Sequence, residues 1–398
     1  MQSHSLTHTP SLRALTPTAA FYLQASLIVS FLAGSSAPTP LYASYQQAWG
    51  FSPITITVVF GIYAIAVLVA LLTTGSLSDH LGRKPVLFGA IAMQSVAMIV
   101  FAIASGVPAL IAARVLQGLA TGAAASALGA GMLDIDRAKG TVANAVSPML
   151  GVATGALGAS LLVQYLPSPT VLVYIVLLGV FVAQAFGVAL MAESIAPKPG
   201  ALASLKPHVS LPPQARAAML AIVPALVAVW SLFGFYGSLG PALARSIAHS
   251  HSSLLGGLAL AVLAASGGAA VFAFGQADPG ALQRRGGLAL IAGVATILAS
   301  IAFGSLALYF IGTIAAGAGF GVVFQGALRR VLPLARAHER AGLIAIVYVV
   351  CYASMGVPAV IAGIAVVSTG SITVAAYGYG CVVMALAAIA LALIPRRA

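Results

Sequence analysis

Apolar residues run through this chain in long blocks separated by short polar turns. A helix that crosses a bilayer needs about 20 consecutive, mostly apolar residues. Blocks of that length predict helices at 18–41, 53–74, 85–104, 108–132, 141–164, 170–191, 217–240, 253–275, 287–304, 306–328, 341–366 and 372–394. A closed membrane barrel would show short alternating segments instead, and the chain has none. The pattern therefore predicts an all-α polytopic membrane protein with 12 transmembrane helices. One polar interruption is long. Residues 192–216 contain Pro197, Pro199, Pro207, Pro212 and Pro213 with Lys198, Lys206 and Arg216, a composition that favours an extended, mobile linker. The expected division is a tail at 1–17, a six-helix bundle at 18–191, a cytoplasmic linker at 192–216, a second six-helix bundle at 217–394 and a tail at 395–398.

Composition agrees and adds orientation. The chain is 61% hydrophobic and 6% charged, against about 25% charged in soluble domains, so it cannot cover a water-facing surface. The net charge of +12 does not imply nucleic acid, because the basic residues are few and fall between spans. With the N-terminus inside, 16 of the 18 Lys and Arg face the cytoplasm; Arg245 falls in an outer loop and Arg114 within the fourth span. That asymmetry sets topology and predicts an inner (plasma) membrane protein with both termini cytoplasmic. Residues 19–33 have the length of a signal-peptide core, but only Arg13 precedes them and Pro38 follows, so an uncleaved first helix is expected. Cys351 and Cys381 lie in apolar runs and read as small hydrophobes without disulfide or metal roles.

The two halves repeat at an offset near 200 residues. Asp79 with Arg83 and Lys84 matches Asp278 with Arg284 and Arg285, the turn Ser105–Gly106 matches Gly304–Ser305, and the loop 134–139 matches 336–340. An even number of helices per half makes the repeat parallel, as in one class of transporter. The stretch Gly75 to Lys84, GSLSDHLGRK, combines placed glycines, expected to allow close approach and positive φ, with Asp79, Arg83 and Lys84 before Pro85. Its pattern G-x-L-x-D-x-x-G-R-K between hydrophobic spans resembles the signature loop between helices 2 and 3 of the major facilitator superfamily. That resemblance implies two six-helix bundles that rock about a central site lined by helices 1, 4, 7 and 10. It also suggests that Asp79 meets the start of the eleventh helix near Arg340 when the cytoplasmic side is shut.

Within the spans, the string ARVLQGLATG at 113–122 holds Arg114, Gln117 and Gly118, and resembles the fourth-helix pattern of the drug/proton antiporter branch, whose arginine is associated with proton movement. The bland alternative is that Arg114 snorkels to the outer interface. Gly118 with Gly122 makes a small-residue face for close packing. Gly151, Gly155 and Gly158 resemble a degraded antiporter motif with Ala156 in place of proline, and helix packing explains them equally. All six carboxylates map to the cytoplasmic face, so the usual acidic part of a proton relay is missing. Tyr42, Tyr45 and Trp49 suit an interfacial belt. Gly234, Gly237 and Gly240 suggest a bend at the end of the seventh span, and Tyr348 and Tyr352 sit one turn apart. On helices expected to line the cavity, Gln24, Arg114, Gln117, Trp230, Tyr236 and Gln325 are the substrate candidates, in a mostly apolar setting that suits an amphipathic or hydrophobic solute.

These features predict a secondary transporter, an exporter by the antiporter resemblance, with proton coupling as an option that the same resemblance implies. A uniporter or uptake carrier of a small organic anion using Arg114 is the alternative, and a non-transporting membrane sensor or scaffold is the alternative of another class. No nucleophile–base pair or metal cluster suggests an enzyme, and His249 and His251 read as exposed. Expected partners are a small-molecule substrate, the lipid bilayer and, by the antiporter resemblance, protons, with no nucleic acid, no cofactor and no metal, in a monomer.

Overall fold

A computed structural model describes residues 14–207, 209–250, 252–336 and 339–394; Arg13, His251, Arg396 and Arg397 lie outside the described residues. Among the described residues every regular element is helical. The first span is broken: α1 (Pro17–Ser36) passes through a 3-10 turn at Thr39–Leu41 into α2 (Tyr42–Trp49). The first half continues with α3 (Pro53–Thr74), the short α4 (Leu77–Leu81), α5 (Arg83–Ala102), α6 (Val107–Ile135), α7 (Arg137–Tyr165) and α8 (Pro169–Leu190). The second half comprises α9 (Arg216–Ser238), α10 (Gly240–Ala248), α11 (Ser253–Phe274), α12 (Pro279–Phe303), α13 (Leu306–Val331), α14 (Arg340–Thr369) and α15 (Ile372–Ala392). Twelve of these segments, with α1 and α2 taken together, are long and apolar enough to cross a membrane.

The local sequence explains the ends. Pro17, Pro53, Pro169 and Pro279 open helices at positions where a missing N–H costs nothing. Thr16 and Asp278 also cap two of these, α1 and α12, and Asp136, Ser305 and Ser371 cap α7, α13 and α15, all through their side chains. Gly50, Gly304 and Gly370 end helices at positive φ. The Asp278 cap corrects one expected boundary: its carboxylate accepts from the Ala281 amide at 2.9 Å, so the ninth span begins at Pro279 and carries Arg284 and Arg285 on the helix rather than in a loop.

Each half packs by the same plan. In the first, α1 contacts α6, α7 and α8, and α5 contacts α6 and α8; in the second, α9 contacts α13, α14 and α15, and α12 contacts α13 and α15. The halves meet through α3 on α14 and through α7 on α11. The repeat exchanges these two pairs, so they are related by an approximate two-fold relation along the direction of the helices. Call the ends of the helices that carry Arg83, Arg137 and Arg340 the basic end; it holds 13 of the 15 described Lys and Arg. The cross-half contacts run from the opposite end to past mid-helix: a Cβ on Gly363 would stand 2.4 Å from Thr57 Oγ1, one on Gly257 2.4 Å from Ala156 O, and one on Gly268 3.1 Å from the Met149 Cβ. Ser252 Oγ donates to Gln164 Oε1 at 3.1 Å and Thr39 Oγ1 to Gly237 O at 3.1 Å, closing that opposite end.

The segment after α8 is not free, contrary to the expectation of an extended, mobile linker. The Lys198 amide donates to His80 O at 2.8 Å, His80 Nδ1 to Pro199 O at 3.0 Å and Ser76 Oγ to Ser204 O at 3.2 Å. It lies along α4. Farther on, Gln214 Nε2 donates to Glu339 Oε2 at 2.7 Å beside the start of α14.

Candidate functional site

At the basic end the 75–84 stretch is a structured latch rather than a bare turn. Gly75 adopts an ordinary helical φ of −56°, so only Gly82, at +98°, needs glycine for its backbone. A Cβ at Gly82 would also stand 2.6 Å from Glu193 Oε2. That close approach has a purpose: the Glu193 carboxylate accepts from the Arg83 amide at 2.8 Å and the Lys84 amide at 2.9 Å, capping α5 from the end of α8. The buried Arg83 side chain donates to Ser78 Oγ and Asp79 Oδ1, both at 2.6 Å, and to Asp134 Oδ2 at 3.2 Å on the last turn of α6. The expected Asp79–Arg340 contact is absent here: Asp79 pairs with Arg83, while Arg340 Nε donates to Ala335 O at 3.4 Å. Nearby, Asp136 caps α7 through the Lys139 amide, and that hydrogen bond holds its carboxyl below the usual carboxylate range. Glu193 and Asp134 were not expected, because neither is close to the loop in sequence. The second half reverses the polarity, with Arg329 on α13 donating back to the carbonyls of Gly275 and Ala277.

Arg114 is fully buried on α6, so it does not snorkel to an interface. Its Nη1 donates to Ser35 O at 2.8 Å and Gln117 Oε1 at 2.7 Å, and Nη2 donates to the Tyr42 hydroxyl. The guanidinium lies 5.2 Å from the Tyr63 ring centroid, 5.7 Å from Tyr42 and 5.9 Å from Phe101. Such faces attract a cation, but none carries charge. All six acidic residues of the chain lie at helix ends or between helices, so Arg114 has no carboxylate partner. Its Nε lacks a hydrogen-bond partner. Gln117 Nε2 donates to Gly34 O at 2.9 Å, and beside Gly34 lies Gln94 of α5, fully buried, with neither amide atom bonded. Leaving such groups unpaired costs about 1–3 kcal/mol each. The break between α1 and α2, set by Pro38 and Pro40, is what turns Tyr42 inward; it and Tyr45 are buried, Tyr45 sharing a 3.0 Å hydrogen bond with Tyr174, so neither serves the interfacial belt expected of them. Trp49 stacks on Tyr45 at 4.8 Å.

The other candidates fall in separate places. Trp230 of α9 packs among Phe233, Phe320, Phe324 and Tyr352 at centroid distances of 5.2–6.3 Å, with its indole N–H unpartnered. Tyr63 belongs to the same apolar cluster as Trp230 and Tyr352, and so links it to Arg114 across the interface of the halves. Tyr348 and Tyr352 are 6.2 Å apart. Tyr236 turns away: its hydroxyl is 2.6 Å from Thr313 Oγ1 and its ring stacks on Tyr309. Gln24 lies toward the basic end, where its Nε2 contacts Met191 Sδ at 3.6 Å and its Oε1 is unpartnered. Gln325 is half-buried on α13. α9 runs past Gly234 and Gly237 to Ser238 and gives way to α10 at Gly240; a Cβ at Gly234 would meet Met355 O at 2.2 Å and one at Gly237 the Phe60 ring at 2.4 Å. Gly118 and Gly122 bring α6 onto α3, and Gly151 and Gly155 bring α7 onto α1, whereas Gly158 faces open space and packing does not account for it. His249, at φ +47°, ends α10.

With this geometry in hand, comparison with known proteins is informative. Residues 25–357 match the family model described as Major Facilitator Superfamily. The chain belongs to the major facilitator superfamily. Over 99 residues, 25% of this chain and 21% of the relative, it is 33% identical to the inner membrane transport protein YajR of Escherichia coli (strain K12). That match thus spans about a fifth of the relative's length. Among solved structures, a point mutant of the nucleoside transporter NupG superposes with a TM-score of 0.73 over 94% of this chain and 100% of that one, at 13% identity. At that identity the likeness concerns the fold alone. It agrees with the two six-helix bundles seen here.

Proposed function

We propose that this superfamily member is a secondary transporter that moves a small amphipathic or hydrophobic solute by rocking its halves about the α3–α14 and α7–α11 contacts. The contacts that close the end away from the basic one, Thr39 on Gly237 and Ser252 on Gln164, carry the reading. If the basic end is cytoplasmic, as the bias of positive charge favours, the arrangement is shut outside and must exchange with one shut inside. The Asp79–Arg340 contact belongs to that second arrangement, where a carboxylate at a helix start would be worth about 0.3–1 kcal/mol. Export is the direction favoured by the fourth-helix pattern. The helix-end position of all six acidic residues favours movement without obligatory proton exchange, and with it a second reading as a uniporter or uptake carrier.

The test is a reversible lock. With Cys351 and Cys381 replaced, Thr57→Cys on α3 and Gly363→Cys on α14 bring two thiols together across the closed end, because a Cβ at Gly363 would stand 3.2 Å from the Thr57 Cβ, close to disulfide spacing. In proteoliposomes, oxidation should abolish solute flux and reductant should restore it. Unchanged flux through the cross-linked protein would refute rocking at this interface.

A further inference from the structure

Among the buried polar atoms without a partner, Arg114 Nε, both amide atoms of Gln94 and the Trp230 indole N–H are ones that transport by rocking does not explain. We propose that Arg114 and Gln94 form the head-group site for a carboxylate, and that the body of the same solute lies against the rings of Tyr63, Tyr352 and Trp230. The substrate class is then an aromatic or short apolar monocarboxylate, an assignment that rests on the transporter reading.

Three observations carry this. A buried cation is stable when paired, yet Arg114 is held only by the neutral acceptors Ser35 O, Tyr42 and Gln117. An incoming carboxylate would supply the missing charge and accept from Nε. Gln94 and Arg114 flank the same Gly34–Ser35 segment of α1, Gln94 against Gly34 and Arg114 on Ser35 O, so a ligand displacing that segment reaches both. Finally, the Tyr63 ring lies under the guanidinium and belongs to the apolar cluster against which Trp230 and Tyr352 pack, which places an apolar surface next to the charged one. A cationic solute finds no acidic residue beside Arg114, since the one acidic residue in a long span, Asp134, sits on the last turn of α6 against Arg83, and a polyhydroxylated one finds few hydrogen-bonding partners.

The experiment uses benzoate, benzamide and benzylamine, which share a ring and differ in charge. Of the two tryptophans, Trp49→Phe leaves Trp230 as the sole indole, selectively excited at the red edge, in the purified full chain. Benzoate should change its emission and raise the melting temperature, with benzamide and benzylamine at least about tenfold weaker. Gln94→Leu should weaken benzoate by about tenfold without altering the response to benzamide, and Arg114→Gln should abolish the preference for the anion. Equal binding of all three compounds, as expected if a trapped water satisfies Gln94, overturns the assignment. So does no binding of any. Should Arg114→Gln fail to fold, the charge series on the parent protein and Gln94→Leu still decide. Flux of another solute without benzoate binding would sink the assignment and leave the transporter reading standing; benzoate binding without flux would do the reverse.

Discussion

Gln94 and Gln117 look alike in the sequence, each an amide in an apolar span, but the fold gives them opposite energetics. Gln117 accepts from Arg114 and donates to Gly34 O, so losing it strips a partner from a buried cation. Gln94 has no bond to lose. Gln117→Leu should therefore destabilise the protein by about 1–3 kcal/mol, while Gln94→Leu should leave the melting temperature of the empty protein unchanged or raised. Thermal unfolding in detergent measures both. Arg114 itself was legible, as the one charge within a span. Its partners were not, because Ser35, Tyr42, Tyr63 and Phe101 come from other helices and nothing in sequence spacing relates them.

Helix positions were readable from the apolar blocks because a bilayer leaves a chain few choices: every backbone N–H and C=O must be satisfied within its own helix. The misjudged boundaries are those where a cap or a turn intervenes, as at Asp278 and at the 3-10 turn after α1. The basic-end latch shows what spacing hides. The glycine, Asp79 and Arg83 were recognisable, but Glu193, 110 residues from Arg83, supplies the cap of α5. Glu193→Ala should cost about 1 kcal/mol and speed hydrogen exchange at the Arg83 and Lys84 amides. Protection as in the parent protein would mean that water serves the helix start equally well.

For the whole molecule, the contact between halves depends on small residues. At Gly257 a Cβ would stand 2.4 Å from Ala156 O and 1.6 Å from Ser160 Oγ, so this crossing of α11 on α7 has no room for a side chain. Gly257→Leu should hold the end opposite the basic loops ajar. A cysteine placed at Thr39 would then label with a membrane-impermeant thiol reagent from that side, where the parent background resists. Flux should fall in step, since the cycle could no longer close that end. Equal labelling in the two backgrounds would argue that this crossing does not control the closure.

The sequence by itself determined the membrane class, the twelve spans, the internal repeat and the sign of charge at one end, since each follows from hydrophobic length or composition and survives any rearrangement of the helices. Only the tertiary structure decided which half-turns face each other: that Arg114 is enclosed by rings and neutral acceptors, that Gln94 is left without a partner beside it, and that the halves close on each other at the end away from the basic one. The physical reason is that inside a bilayer all helices are comparably apolar, so hydrophobicity places them in the membrane without choosing their neighbours. Those are chosen by close packing at glycines and by a handful of polar atoms.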